Sequence, residues 1–392
     1  MMRYDVSLDV DSAPKVHPTA VPDLSGLKQY GIAIYLPALG RGGAERVVVN
    51  LATAFAALGY PVTIFIHSCR KGHYDIADGV EVVDLGVKRT LGAIPRLAAE
   101  LKARRPAALL SALTAANTAA YIARALSGVP MRLIVSEHAP LLLRCRFGPD
   151  PIKRLLLFGL NAFLYRAADA VVAVSTGIRE ELMTWLHLPP RQVHVIHNPV
   201  VPANLQQAMA ERPDHPWFGA GGDPVILGIG RLVPEKNFPM LIDAVHRLRA
   251  RRPVRLLIFG EGPERAALEK HIAELGAEEY LQLGGIIENP YPYYRHAALF
   301  VLSSNYEGFG NVLVESMACG TPVVSTRCPS GPLEILQDGK YGVLTPVGDV
   351  DAMVGAIDHA LDIDWDRDRL RDRAADFAVE TIAKQYLNIL GR

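Results

Sequence analysis

Short apolar runs recur along the chain, each closed by glycine, proline or a polar turn. Residues 32–36, 62–66, 80–84, 108–111, 133–135, 170–174 and 193–196 form one series. Residues 225–229, 256–259, 281–285, 299–302 and 323–325 form a second. These runs are short and rich in Val, Ile and Leu, which predicts buried strands. Longer segments with apolar residues at helical spacing lie between most of them, among them 44–58 and 177–186. Strand alternating with helix predicts parallel sheets covered on both faces, an α/β fold.

A chain of 392 residues suggests two domains. Half of it is apolar and 21% is charged, so it can fill large cores and is not a disordered chain. Residues 1–28 are polar with several prolines and read as a flexible tail. The first strand series fills a domain over 29–200 and the second a domain over 225–378. Between them 201–224 is rich in Pro and Gly without clear periodicity and reads as a linker. No apolar run is long enough for a spanning helix; the best, 155–165, is interrupted by Asn161. Cys69, Cys145, Cys319 and Cys328 lack metal-site spacing and read as reduced cytosolic thiols.

Net charge is zero, which argues against a general nucleic-acid binder. The total hides an asymmetry. Residues 1–200 carry 22 Lys and Arg against 15 Asp and Glu, a balance of +7; the remainder carries 19 against 26, or −7. Leucines and aromatics interleave with cations around Arg144, Arg146, Lys153, Arg154 and Arg166. That stretch fits a core helix with basic ends, or a surface that lies on anionic lipid; the positive first half favours the second reading for some of it.

The candidate chemistry centres on residues 303–336. After the run 299–302, Tyr306-Glu307-Gly308-Phe309-Gly310 makes a glycine-rich turn, Asn311 is placed to cap a helix, and Gly320 ends it. A strand thus meets a helix through a turn whose backbone N–H groups can hold an anion. Glu307 and Glu315 stand eight positions apart, a little over two helical turns, so both can reach one side. Taken alone, the first could favour the helix dipole and the second could be a solvated face residue.

Other strand ends carry further candidates. Gly40, Gly42 and Gly43 follow the first strand, as a tight turn or as a phosphate loop, with Arg41 and Glu45 nearer to surface residues. No G-x-G-x-x-G stands there, which counts against a nicotinamide dehydrogenase. His138 follows the strand at 133–135, where ligand sites of such sheets gather. Arg231 and Lys236 lie in Gly230-Arg-Leu-Val-Pro-Glu-Lys-Asn237, two cations beside a helix start that suit a diphosphate. Gly260 and Gly262 permit close approach, and Ile286-Ile287 close the next strand. Ser175-Thr176 fits a helix cap. Tyr291, Tyr293 and Tyr294 fit packing, and Ser330 to Pro332 with Glu334 form a further turn. The D-x-D triplets from Asp362 to Asp368 read as solvated charge, so no metal site is expected.

The string from Glu307 through Glu315 to Ser-Met-Ala-Cys-Gly-Thr-Pro-Val-Val resembles the E-x7-E signature of retaining glycosyltransferases of family four. GRLVPEKN resembles that family's second signature. The resemblance spans about Ile32 to Leu390 and is strongest over 228–336. It implies the GT-B architecture: two Rossmann-like domains with parallel sheets facing across a cleft, the last helix (379–392) returning to the first domain. It also implies roles. Gly42 and Gly43 would face the donor diphosphate, and His138 the donor sugar. Arg231 and Lys236 would neutralise the leaving diphosphate. The base would rest near Ile287, with Gly260 allowing approach. Glu307 would bind sugar hydroxyls and Glu315 the ribose, with amides of Gly308, Phe309 and Gly310 near sugar and phosphate.

The implied catalytic set is His138, Arg231, Lys236 and Glu307, working on a nucleotide-sugar donor (UDP-hexose, UDP-N-acetylhexosamine or GDP-mannose) without metal or other cofactor. Cys328-Pro-Ser-Gly-Pro-Leu-Glu-Ile-Leu336 is similar to polysaccharide-assembly members. That implies a polyprenyl-diphosphate-linked acceptor for exopolysaccharide, capsule or O-antigen, at the anionic inner face of the cell membrane. A soluble acceptor, a nucleotide-sugar epimerase of the same fold, and a binding protein that has lost catalysis are the rivals.

Overall fold

The computed structural model describes residues 23–40, 42–68, 76–140, 162–219 and 221–391. Two parallel sheets make its frame. The first contains β1 (Ile32–Tyr35), β2 (Val62–Ile66), β3 (Val80–Asp84), β4 (Ala108–Ala112), β5 (Arg132–Glu137), β6 (Ala170–Ala173) and β7 (Val193–Val195). Their order is β3-β2-β1-β4-β5-β6-β7. The second contains β8 (Val225–Ile229), β9 (Arg255–Phe259), β10 (Leu281–Gly285), β11 (Leu299–Leu302), β12 (Val323–Thr326) and β13 (Val343–Thr345), in the order β10-β9-β8-β11-β12-β13. Neighbouring strands run parallel in both sheets.

Four-residue runs such as β1 and β11 are buried at every position, because helices cover both sheet faces. β13 matches none of the apolar runs. It is three residues long with Val343 and Leu344 only half-buried, so its pattern is weak. In both sheets the strand order reverses beside the first strand, between β1 and β4 and between β8 and β11. Loops leaving the carboxyl ends there splay apart and leave a crevice.

The stretch 201–224 is not featureless. It holds a short helix, Leu205–Ala208, and a 3-10 turn, Pro216–Phe218, and buries Leu205, Met209 and Trp217. Elements this short show no periodicity, which is why the sequence read as a linker. Val201 pairs with Ala378 in an isolated parallel bridge, so the chain crosses between domains twice, side by side. Helix Val379–Leu390 then buries Ile382, Ala383, Tyr386 and Leu387 in the same apolar cluster as Val47, Leu51 and Phe55 of helix Gly43–Ala57. No helix among the described residues is long and apolar enough to cross a membrane. Of the D-x-D acids, Asp362 pairs with Arg252 (2.8 Å), Asp366 caps helix Arg367–Ala375, and Asp368 pairs with Arg371 (2.6 Å).

Candidate active site

Two loops meet at the β8/β11 reversal: 230–237 after β8 and 303–310 after β11. Ser303 Oγ donates to the Lys236 carbonyl (2.8 Å), and Asn305 N donates to the Glu235 carbonyl (2.8 Å). Lys236 lies across Gly230, where an added Cβ would stand 3.3 Å from its Cε. Its ammonium ends on Glu307 Oε1, which also accepts from Ser304 Oγ (2.7 Å). These two charged side chains are only 17% and 11% exposed, so solvent screens their attraction less than it would at the surface. Arg231 is exposed and makes no ion pair among the described residues. Lys236 and the first acid therefore meet, while no hydrogen bond or ion pair among the described residues joins Arg231 to them.

Helix Asn311–Ala318 starts at Gly310, whose φ of 100° is left-handed and suits glycine. Asn311 does not cap it. Its side chain accepts from Asn198 Nδ2 (2.8 Å) and donates to the Gly43 carbonyl (3.4 Å), both in the first domain. The main-chain N–H groups of Gly308, Phe309 and Gly310 donate to no other main-chain group among the described residues. Phe309 itself is 3% exposed, its ring stacked on His197 at 5.3 Å between centroids. Packing thus holds the side chain, and these N–H groups have no main-chain acceptor among the described residues.

Glu315 is 6% exposed, which rules out a solvated face residue. Tyr294 OH donates to its Oε2 (3.0 Å), and Arg46 Nη1 donates to its Oε1 (3.4 Å). Burial, and then the Glu315 charge, hold the Tyr294 phenol well above its ordinary pKa, so it remains a donor. Arg46 belongs to the first domain and reaches across the cleft. Glu45 departs from its surface assignment. Its carboxyl is half-buried beside Gly42, raised by burial and opposed by the charge of Arg231. Gly43 faces Asn311, as just described.

His138 lies at the carboxyl end of β5. Its Nε2 is 3.0 Å from Ser136 Oγ, and its Nδ1 is buried without a partner. Burial pushes the ring down to about 4, so it is neutral at pH 7. Its carbonyl lies against Gly308, where an added Cβ would stand 2.0 Å from the oxygen. Gly260, with φ of 149°, packs against Gly230, where an added Cβ would meet the carbonyl oxygen at 1.8 Å. That glycine is required for loop against loop. Ile287, just past β10, is half-buried on the core.

Sequence reasoning passed over Arg46, Asn198, Tyr294 as a hydrogen-bond donor, Ser304 and the contacts of Glu334. A signal existed for the first. Arg46 and Asn50 are polar, four apart, in a helix otherwise apolar through Val47, Val48 and Val49. Asn50 Nδ2 donates to the Pro199 carbonyl (2.8 Å). Tyr294 showed none, since a buried tyrosine among apolar neighbours looks like packing.

Lys236, a helix start and two shielded carboxylates lie on the second-domain loops and helix, and Asn311 and Glu315 of that helix meet the first domain. Such an arrangement can bind a diphosphate and, beside it, hydroxyl groups. No cluster of three or more His, Cys, Asp or Glu suited to a metal occurs among the described residues. The two parallel-sheet domains make the GT-B fold. The model for Glycosyltransferase Family 4 matches residues 41–204, and that for Glycosyl transferases group 1 matches 214–377. The chain belongs to the GT-B glycosyltransferases of the family-four type.

It is 29% identical over 356 residues to the lipopolysaccharide core biosynthesis glycosyltransferase LpsE of Rhizobium meliloti, covering 89% of this chain and 96% of that one. It is also 29% identical over 380 residues to a Campylobacter jejuni enzyme, covering 93% and 100%. That enzyme is named N-acetylgalactosamine-N,N'-diacetylbacillosaminyl-diphospho-undecaprenol 4-alpha-N-acetylgalactosaminyltransferase. HepE of Anabaena, solved with UDP and glucose, shares the fold with a TM-score of 0.70 at 20% identity, over 91% of this chain and 97% of that one.

Proposed function

We propose that this glycosyltransferase is retaining and metal-independent, and moves a hexosyl unit from a nucleotide sugar to a lipid-linked saccharide in surface-polysaccharide assembly. The observation that carries the reading is the shielded pair of Lys236 and Glu307 in the turn whose N–H groups at 308–310 have no main-chain acceptor among the described residues. The acceptor hydroxyl attacks C1 from the face the diphosphate leaves. The C1–O bond breaks, the new glycosidic bond forms on that face, and a diphosphate oxygen takes the hydroxyl proton. Arg231 and Lys236 neutralise the charge that accumulates on the leaving group, the part a metal plays in other transferases. The names of the LpsE and Campylobacter relatives support the pathway and the lipid-linked acceptor. The UDP and glucose bound to HepE support the donor class.

The test is transfer from UDP- and GDP-sugars to a polyprenyl-diphosphate saccharide, with the product anomer read by NMR. We expect a retained anomer and full rate in excess chelator. An inverted product, or loss of activity restored only by manganese, overturns the mechanism; transfer solely to a soluble sugar overturns the acceptor.

Reversible docking on the inner membrane face follows from the +7 first half. Arg144, Arg146, Lys153 and Arg154, the cations assigned to it, lie outside the described residues. Each cation near an anionic surface is worth about 1 kcal/mol. Co-sedimentation with phosphatidylglycerol vesicles should fall with salt and with the four changed to Ser. Equal binding to neutral vesicles would refute this docking.

A further inference from the structure

The turn that holds Glu334 was given no task by the sequence, yet this carboxylate meets four polar atoms of the first domain. Helix Gly331–Leu336 belongs to the second domain. From it Glu334 Oε1 accepts from Thr176 N (2.6 Å) and Gly177 N (3.4 Å), the first N–H groups of helix Thr176–Trp185 in the first domain. Glu334 Oε2 accepts from Thr176 Oγ1 (3.1 Å) and lies 3.0 Å from His197 Nε2. Helix N-termini favour a negative charge, so this is a capping interaction made across the domain boundary.

The contact extends into the active site. His197 stacks on Phe309, and Phe309 lies between Gly308 and Gly310 of the donor turn. Behind Phe309 its carbonyl packs on Gly331, where an added Cβ would stand 1.8 Å from the oxygen. Arg373 fixes the other side, donating from Nη2 to the Glu334 carbonyl (2.6 Å) and from Nε to the Ile335 carbonyl (3.0 Å). One carboxylate therefore ties the capped helix, His197 and the donor turn into a single body.

We propose that Glu334 is a positioning residue: it clasps the two domains and, through His197 and Phe309, holds the donor turn against the first domain. The transfer part of this rests on the function proposed above; the clasp does not. A nucleoside diphosphate would contact mainly the second-domain loops, and the donor turn stays anchored within that domain through Gly331 and Arg373 when the clasp is lost. Loss of the clasp should therefore spare nucleotide affinity and depress turnover.

The experiment uses the full chain with Glu334→Gln and Glu334→Asp, both checked for an unchanged thermal transition. Hydrogen exchange at Thr176 and Gly177 reads the clasp without substrate. A charge-assisted acceptor is lost in Glu334→Gln, so exchange there should quicken about 10- to 100-fold, with partial rescue in Glu334→Asp. In the same variant kcat should fall by a similar factor while the Kd for UDP or GDP stays within about twofold. Unchanged exchange overturns the clasp. Quickened exchange with full kcat, or a Kd that worsens as much as kcat falls, overturns the positioning role. A wild-type protein that binds neither diphosphate refutes the proposed function instead, and the exchange result still decides the clasp.

Discussion

Lys236→Ala should lower kcat about 10²- to 10³-fold, the loss typical of removing one preorganised donor from a developing charge. Its effect on diphosphate affinity should be much smaller. In the free protein the ammonium already rests on Glu307, so ground-state binding exchanges one anionic partner for another. As the C1–O bond of a bound donor broke, the leaving diphosphate would gain negative charge beyond that of the ground state, and the ammonium would count most there. Glu315→Ala should behave in the opposite way. It removes a shielded acceptor that Tyr294 and Arg46 aim at one place, so nucleotide affinity should fall and kcat change little. Rates and UDP or GDP titrations on both variants separate the roles. The pair Lys236 and Glu307 acts as a unit, so Lys236→Ala combined with Glu307→Gln should cost much less than the product of the two losses. Unchanged turnover in Lys236→Ala would remove the lysine from the chemistry.

The parts legible in the sequence were those whose signal is local. Apolar runs marked strands because each strand buries its side chains regardless of what lies elsewhere. Loop 230–237 and turn 303–310 were each marked because each follows a strand end; that β8 and β11 are neighbours, which brings them together, appears only in the sheet order. What escaped depends on the relation between domains. Asn311 looked like a cap, since Asn at a helix start usually caps. Here the left-handed Gly310 begins the helix, and the first domain supplies partners for the asparagine side chain. Glu45 looked like a surface acid because nothing near it in sequence shows that Arg231 faces it. Arg46 and Glu334 make long-range contacts, over 269 and 158 positions. No window of sequence contains either pair.

That dependence on the relation between domains gives the sharpest test of the closed cleft. Gly308→Ala should nearly abolish transfer and leave nucleoside-diphosphate binding intact. The added Cβ would stand 2.0 Å from the His138 carbonyl oxygen, closer than side-chain carbons come to backbone. That carbonyl sits directly after β5, whose register with β4 and β6 resists movement. The donor turn must therefore retreat by about 1 Å, and a misplacement of that size can cost about 10²-fold in rate. Gly308 is absent from the positive-φ positions, so alanine imposes no strain on the turn itself. The second domain should keep its fold and its diphosphate site. Gly331→Ala is the contrasting case. Its Cβ would fall 1.8 Å from the Phe309 carbonyl oxygen, and both residues belong to the second domain. No opening of the cleft relieves that clash, so the cost must appear as lost stability. Calorimetry and UDP or GDP titration on the two variants decide between cleft and fold. A near-normal rate in Gly308→Ala, or a nucleotide affinity lost in step with the rate, would mean that transfer does not require the turn to close on His138.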